Sequence, residues 1–531
     1  MPTLEWIGKD KVVNHHQEVP YRVLERQYSY DEAGQHAEDN GSENMIIHGD
    51  NLEALKALLP RYEGKVKCIY IDPPYNTGNE GWVYNDNVND PKIKRWLGEV
   101  VGKEGEDLSR HDKWLCMMYP RLKLLQRLLA EDGAIFISID DVEFYNLRLI
   151  CNEIFGDHNF IATIIWRKNY APKGTAKHFS EDHDYILVYG KSAEQWIPHK
   201  MPRTEKQNKA YKNPDNDPRG LWRPNNLAAR NFYSKGTYSI TCPSGRVIKG
   251  PPAGSYWRVS EEKFWEMDRD GRIWWGKDGN NVPAPKIFLS EVADGVVPQT
   301  FWSYEEVGHT QDAKKEIKTI FTGETPFDTP KPVRLIERIL QIASDPDSII
   351  LDSFAGSGTT AHAVLNMNKA DGGNRKFILV EMMDYADSIT AERVKRVIDG
   401  YGEDKKAVKG TGGNFSYYEL GPVLLLPNGN LNEEVGPQKI REYVYYMETK
   451  EPLPAEQPTD EPYFMGLCRN TAYYFYYERE SVTTLDHAFL ATVQTKAEGY
   501  TIYADLCAIP QETLRKHNIT FKKIPRDIAR L

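Results

Sequence analysis

Cysteine is scarce: six in 531 residues, Cys68, Cys116, Cys151, Cys242, Cys468 and Cys507, widely spaced and with no C-x-x-C pair. That pattern argues against a disulfide scaffold or a structural zinc site and for a reducing, cytoplasmic setting. No H-E-x-x-H occurs, and His15-His16 reads as N-terminal polarity rather than a metal site, so no metal is expected. No run approaches the roughly 18 apolar residues of a membrane span. The opening Met1-Pro2-Thr3-Leu4-Glu5-Trp6 lacks the apolar core of a signal peptide. Net positive charge is missing too: the formal charge is −10, which counts against a nucleic-acid partner if evenly spread. It is not evenly spread. Between Gln195 and Ser260 there are twelve Lys/Arg against three Asp/Glu, a local basic region compatible with phosphate contacts.

Against these absences stands Cys68-Ile69-Tyr70-Ile71-Asp72-Pro73-Pro74-Tyr75-Asn76-Thr77-Gly78. Val66 to Ile71 reads as a buried strand closed by a breaker. Two prolines donate no backbone hydrogen bond and fix φ near −65°, and Asp72, preceding proline, is pushed towards an extended conformation. The result is a rigid turn presenting one carboxylate, free carbonyls and one aromatic face. That inventory suits an exocyclic amino group on a planar base. Asp72 and the Pro73 carbonyl accept its two N–H bonds while Tyr75 stacks on the ring. A plain Pro-Pro turn with Asp72 as a helix cap accounts for the tetrapeptide equally well.

A second stretch runs from Ser348 through the apolar Ile349-Ile350-Leu351 to Asp352-Ser353-Phe354-Ala355-Gly356-Ser357-Gly358-Thr359-Thr360. A strand feeds a glycine-rich turn, and a helix is expected over Thr359 to Asn368. Glycines let backbone approach a ligand, and a helix N-terminus offers unpaired N–H groups. The next expected strand, Lys376 to Glu381, ends in an acid about 20 residues on, where nucleotide-binding α/β folds meet a ribose hydroxyl. No Walker lysine follows Gly358. Taken alone, the turn serves a nicotinamide cofactor or simple helix packing just as well.

Together, Asp72-Pro73-Pro74-Tyr75 and Phe354-Ala355-Gly356-Ser357-Gly358-Thr359-Thr360 resemble the catalytic and S-adenosylmethionine-binding motifs of amino-group DNA methyltransferases. Their order resembles the β class of adenine-N6 enzymes, and in particular the modification (Mod) subunits of type III restriction–modification systems and their solitary relatives. The likeness covers Met45 to Asn169 and Thr325 to Gly402 and extends into the tail, through Ile519 to Ile528. Ser353 departs from the proline usual before Phe354, without removing a ligand contact. The resemblance implies S-adenosyl-L-methionine as cofactor, with Asp352 in its motif, Asp50 at its adenine, and Lys331 and Pro332 at its methionine end. Duplex DNA, a homodimer and a helicase–nuclease subunit are the implied partners.

The expected fold is α/β: a Rossmann-like, mixed methyltransferase sheet with permuted motif order, an inserted target-recognition domain and a small C-terminal α/β module. Residues 1–44, polar and irregular, read as an arm; 45–194 as the catalytic half; 195–324 as the insertion; 325–402 as the cofactor half; 403–531 as the C-terminal module. Met45 to His48 is an expected strand, and Asp50 an expected N-cap for a helix over Leu52 to Leu59. Asn76 to Asp112 reads as a loop over the target base, with Trp82 and Tyr84 as contacts or as ordinary packing. A helix over Trp114 to Ala130, a strand over Ala134 to Ile139 and a helix over Val142 to Phe155 follow. Ile161 to Trp166 and Tyr185 to Tyr189 suit an antiparallel edge hairpin. Thr329-Pro330-Lys331-Pro332 opens a helix over Val333 to Ala343, and a helix over Ala386 to Ile398 completes the domain. The implied reaction is in-line methyl transfer to N6 of a flipped-out adenine. Cytosine-N4 transfer and a non-catalytic DNA-binding or assembly subunit are the rivals.

Overall fold

The computed structural model describes residues 3–77, 95, 110–292, 295–456 and 460–526. The loop expected over the target base, including Trp82 and Tyr84, lies mostly outside the described residues. Contacts divide the chain into two units, His199–Pro298 and everything else.

The larger unit is built on an eleven-stranded mixed sheet. Its strands are β1 (Arg22–Asp31), β2 (Gly34–His36), β3 (Met45–His48), β4 (Val66–Ile71), β5 (Leu129–Ile139), β6 (Phe160–Arg167), β7 (His183–Gly190), β8 (Phe301–Trp302), β9 (Ile349–Asp352), β10 (Lys376–Glu381) and β11 (Asn414–Val423). They lie in the order β8-β6-β7-β5-β4-β9-β10-β3-β11-β1-β2. The run β5-β4-β9-β10-β3-β11 is parallel throughout. Parallel strands covered on both faces read as near-continuous apolar runs, as Val66 to Ile71 does. Helices α1 (Asn51–Tyr62), α2 (Arg110–Leu128), α3 (Asp141–Phe155), α4 (Thr310–Ile320), α5 (Val333–Ala343), α6 (Thr359–Asp371) and α7 (Glu392–Asp399) supply the covering. Asp50 caps α1, accepting from Leu52 N and Glu53 N at 2.8 and 3.3 Å, and Asp140 caps α3 through Val142 N at 2.9 Å.

Three placements differ from the sequence reading. The expected arm is not irregular throughout: β1, ten residues long, pairs antiparallel with β11. Its buried apolar positions, Val23 and Tyr28, are separated by a stretch that includes Glu25 and Arg26, which masks the strand pattern. β11 itself, assigned to the C-terminal module, pairs parallel with β3 inside the central sheet. Such long-range pairing leaves no local signature. Residues 299–324, assigned to the insertion, belong to the larger unit, where β8 pairs with β6 and Glu316 of α4 meets Arg393. The expected hairpin is present, β6 and β7 being antiparallel. The helix expected over Ala386 to Ile398 is π-helical at Ala386–Ala391 before α7 begins.

Beyond the central sheet, strands Phe464–Cys468, Thr471–Phe475, Gly499–Ala504 and Ile519–Lys523 form a four-stranded sheet. The helix Pro437–Thr449 ties it to α1, with Arg61 bound to Glu442 at 2.7 Å. The unit His199–Pro298 has its own core, including Leu227, Ile240, Trp257, Phe264, Ile273 and Trp275. Among the described residues no helix is long and apolar enough to cross a membrane.

Candidate active site

Four neighbouring parallel strands each end in, or just before, an acid on one edge of the sheet. β4 leads to Asp72, β9 ends in Asp352, β10 ends in Glu381, and β3 leads through Gly49 to Asp50. Open α/β sheets bind ligands in the crevice outside such carboxyl ends. The Asp72 strand and the glycine-turn strand, separated by some 280 residues of chain, are direct neighbours, with Ile350 opposite Cys68.

The Asp72 turn is clamped from several sides. Trp114 Nε1 donates to the Pro74 carbonyl at 2.6 Å. Asn76, at φ 59°, donates from Nδ2 to the buried Glu143, which also meets His111 Nδ1 at 2.7 Å. Asp72 Oδ2 accepts from the Lys331 ammonium, and both side chains are about nine-tenths buried. Asp72 Oδ1 is buried with no hydrogen-bond partner among the described residues. Lys331 also lies over the Tyr75 ring, 5.1 Å from its centroid. The Tyr75 hydroxyl donates to Asp184 Oδ2 at 3.5 Å, and Asp184 Oδ1 accepts from Lys168 Nζ at 2.5 Å. Burial pushes the Tyr75 phenol well above its ordinary pKa and raises that of Asp184, against the pull of Lys168 and Lys331.

The glycine turn is held from within. Asp352 accepts from Phe354 N at 3.0 Å and from Thr360 Oγ1 at 2.6 Å, and Glu381 from Gly356 N and Met383 N at 2.8 and 2.9 Å. Ala355 N reaches the Val380 carbonyl at 3.1 Å. Gly358 sits at φ 78°, and a Cβ there would lie 3.0 Å from the Thr390 carbonyl oxygen. The π-helical turn brings Thr390 Oγ1 to the Gly356 carbonyl at 2.6 Å, tying that segment to the glycine turn. Burial, with help from the neighbouring Asp72 and Glu381 charges, raises the Asp352 carboxyl to about 7. Burial raises Glu381 to about 7 as well.

Asp72, Thr329, Lys331, Phe354, Gly356 and Thr359 are among the residues that line one open cleft between the two turns. The Thr329 hydroxyl is a second buried polar atom there without a partner among the described residues. Asp50, Glu381 and Pro332 sit outside that lining. Asp50 accepts from Arg121 Nη2 at 3.2 Å besides capping α1, Glu381 braces the glycine turn, and Pro332 precedes α5 as its cap.

Several residues here escaped the sequence reading. Arg121 is fully buried in α2; it bonds Asn51 Oδ1, while Asn51 Nδ2 donates to the Ser353 carbonyl at 3.2 Å. Arg393 is fully buried in α7, and its Nη1 donates to Ser357 Oγ at 2.9 Å and Thr359 Oγ1 at 2.8 Å. An arginine in an amphipathic helix that carries other basic residues looks like surface charge. Arg121, amid Leu115 to Leu125, was the more visible exception.

The family model for DNA methylase matches residues 66–392 of the chain, which includes both turns and the strands that carry them. The chain belongs to this DNA methylase family. The StyLTI Mod subunit, a type III restriction-modification enzyme of Salmonella typhimurium, is 35% identical over 424 residues, covering 74% of this chain and 62% of that protein. The type II methyltransferase M.KpnI of Klebsiella pneumoniae is 32% identical over 366 residues, covering 65% of this chain and 81% of that protein. Among solved structures, TTHA0409 of Thermus thermophilus, a putative DNA modification methylase, is 16% identical, covers 71% of this chain and 99% of its own, and has a TM-score of 0.34. The chain spans less than two thirds of the length of the type III Mod subunits it matches.

Proposed function

We propose that this DNA methylase is a site-specific DNA adenine-N6 methyltransferase using S-adenosyl-L-methionine, and the modification component of a type III-like restriction–modification system. The observation that carries the reading is Asp72 Oδ1: a buried carboxylate oxygen without a partner among the described residues, on a rigid Pro-Pro turn beside the glycine turn. A buried acceptor left unsatisfied costs stability, so its place is explained by a ligand donor. An adenine N6 hydrogen supplies one, and the Pro73 carbonyl takes the second.

The cofactor fits the residues present. The cleft pairs a Thr329 hydroxyl that has no partner among the described residues, and the Lys331 ammonium, with a glycine turn that opens α6, a set suited to an amino-acid carboxylate. Phe354 to Thr360, Lys331 and Asp352 hold that end, with Glu381 and Asp50 at the ribose and adenine and Pro332 presenting Lys331 from the head of α5. Bound there, the cofactor supplies an electrophilic methyl group. Asp72 and Pro73 orient the amino nitrogen towards it, and Tyr75 stacks on the base. Such stacking returns about 1–3 kcal/mol towards the cost of flipping. Lys331 has two claims on it, Asp72 and Tyr75 on one side and the cofactor carboxylate on the other.

The basic unit His199–Pro298 is the target-recognition domain in this reading, where Arg and Asn read base edges and Lys holds phosphates. Duplex DNA is the substrate, the chain acts as a homodimer in the cytoplasm, and a helicase–nuclease subunit is its restriction partner. The test is single-molecule sequencing of DNA from a methylation-free bacterium expressing the chain, beside an Asp72→Ala control. N6-methyladenine at one short sequence, absent in the control, supports the reading. N4-methylcytosine instead, or cofactor binding without any DNA modification, overturns it.

A further inference from the structure

The hairpin between β6 and β7 starts and ends beside Tyr75, and among the described residues its tip, 171–179, is exposed throughout. Its base is pinned: Lys168 N and Asn169 N both donate to the Asp182 carbonyl, at 2.8 and 3.2 Å. Lys168 and Asp184, one at each end of the hairpin, form the ion pair that also meets the Tyr75 hydroxyl. Within the loop, Lys173 N donates to Ser180 Oγ at 2.7 Å, and Ser180 Oγ donates to Asp182 at 2.5 Å, so the returning arm has defined geometry. From Lys168 to Ser180 the loop carries Lys168, Lys173, Lys177 and His178 and no acid. Phe179 is 91% exposed, more than any other large apolar side chain among the described residues. Tyr170, on the outgoing arm, packs edge-on against Tyr304 at 5.5 Å.

An apolar ring held out to solvent at the end of a basic run, with Glu181 and Asp182 following it on the returning arm, has one fitting occupant here. Phosphates complement the lysines, and a base step that has lost a base complements the ring. Apolar side chains inserted between base steps are an established way to stabilise distorted duplex DNA. Asp184 is five steps along the chain from Phe179, which places the Phe179 backbone within about 18 Å of the Tyr75 support.

We propose that Phe179 is a wedge that enters the duplex at the position vacated by the flipped adenine, while Lys173 and Lys177 hold the flanking phosphates. This rests on the DNA-methylation reading above. The wedge stabilises the open duplex and touches neither cofactor nor reacting atoms, so Phe179 is a positioning residue.

The test compares wild type with Phe179→Ala and Phe179→Leu on a duplex carrying the sequence that the wild type methylates in cells. A second duplex is identical except for an abasic position opposite the target adenine, where no base pair must be broken. Single-turnover methylation and cofactor binding are measured on each. The expected result is a loss of roughly tenfold or more for Phe179→Ala on the paired duplex. The defect shrinks to within about threefold on the abasic duplex. Phe179→Leu recovers much of the rate, and cofactor binding is unchanged. Equal activity of wild type and Phe179→Ala on the paired duplex overturns the wedge, as does an equal loss on both duplexes, which marks a general DNA contact. A wild type that methylates no duplex overturns the methylation reading first and the wedge with it.

Discussion

Replacing Lys331 with methionine keeps most of the side chain's volume but removes the ammonium that pairs with Asp72. The carboxylate it leaves is 11% exposed and sits near Asp352 and Asp184, whose own carboxyls are already raised by burial. Breaking one side of a buried pair costs about 3–5 kcal/mol, because the partner charge is stranded. Asp72 keeps 11% of its side chain exposed, so the lower end, about 3 kcal/mol, is the expected loss. Asp72→Asn strands the ammonium instead and costs a similar amount. In the double variant neither charge is left, so its loss falls short of the sum of the two singles by about 2 kcal/mol or more. In a chain this large each kcal/mol moves Tm by about 2 °C or less. Differential scanning calorimetry of the four proteins, without DNA or cofactor, reads the cycle. Single variants lower Tm by several degrees and the double by little more than one single. Strictly additive losses would refute the idea that the two side chains are coupled as a buried pair.

Three further outcomes are expected. Asp352 is raised from 3.8 to about 7, so folding takes up a proton between those values. The penalty is absent below about pH 4 and grows, towards roughly 4 kcal/mol, as pH rises to 7. Asp352→Asn should therefore gain stability relative to wild type as pH climbs from 4 to 7; denaturant melts showing a constant difference would count against it. Gly358→Ala forces a side chain into φ 78° and against the Thr390 carbonyl. A loss of about 1–2 kcal/mol and weaker cofactor binding by calorimetry are expected. Tyr75→Phe, losing only a 3.5 Å hydrogen bond to Asp184, should methylate nearly as well as wild type, whereas Tyr75→Ala should lose about 1–3 kcal/mol of base binding.

The parts of the molecule that sequence made legible are those whose chemistry is written locally. Asp72-Pro73-Pro74-Tyr75 and the glycine turn announce themselves through breakers placed after apolar runs, and the structure makes their strands neighbours. Val333–Ala343 and Lys376–Glu381 coincide with the predicted elements. What stayed hidden depends on partners far away in the chain. The buried roles of Arg121 and Arg393 exist only because Asn51, Ser357 and Thr359 are brought to them. β11 is a polar-aromatic segment whose membership of the central sheet is decided by β3, some 370 residues earlier. Glu381 sits where spacing placed an acid, yet its two oxygens also tether the glycine turn, a task no spacing rule specifies.

The unit His199–Pro298 begins and ends with its two strands of chain stitched together, Met201 N to Val296 O and Val296 N to Met201 O, each at 2.8 Å. To the sheet that hosts it, the whole excursion is therefore a short closed loop rather than a long open one. Loop length adds little closure cost in any case, and the core within the unit is its own. On the target-recognition reading proposed above, selection can exchange such a cassette, one sequence preference for another, while the chemistry proposed at Asp72 is left alone. On that reading, two genes that share the central sheet and differ in this cassette would mark different sites on the same genome.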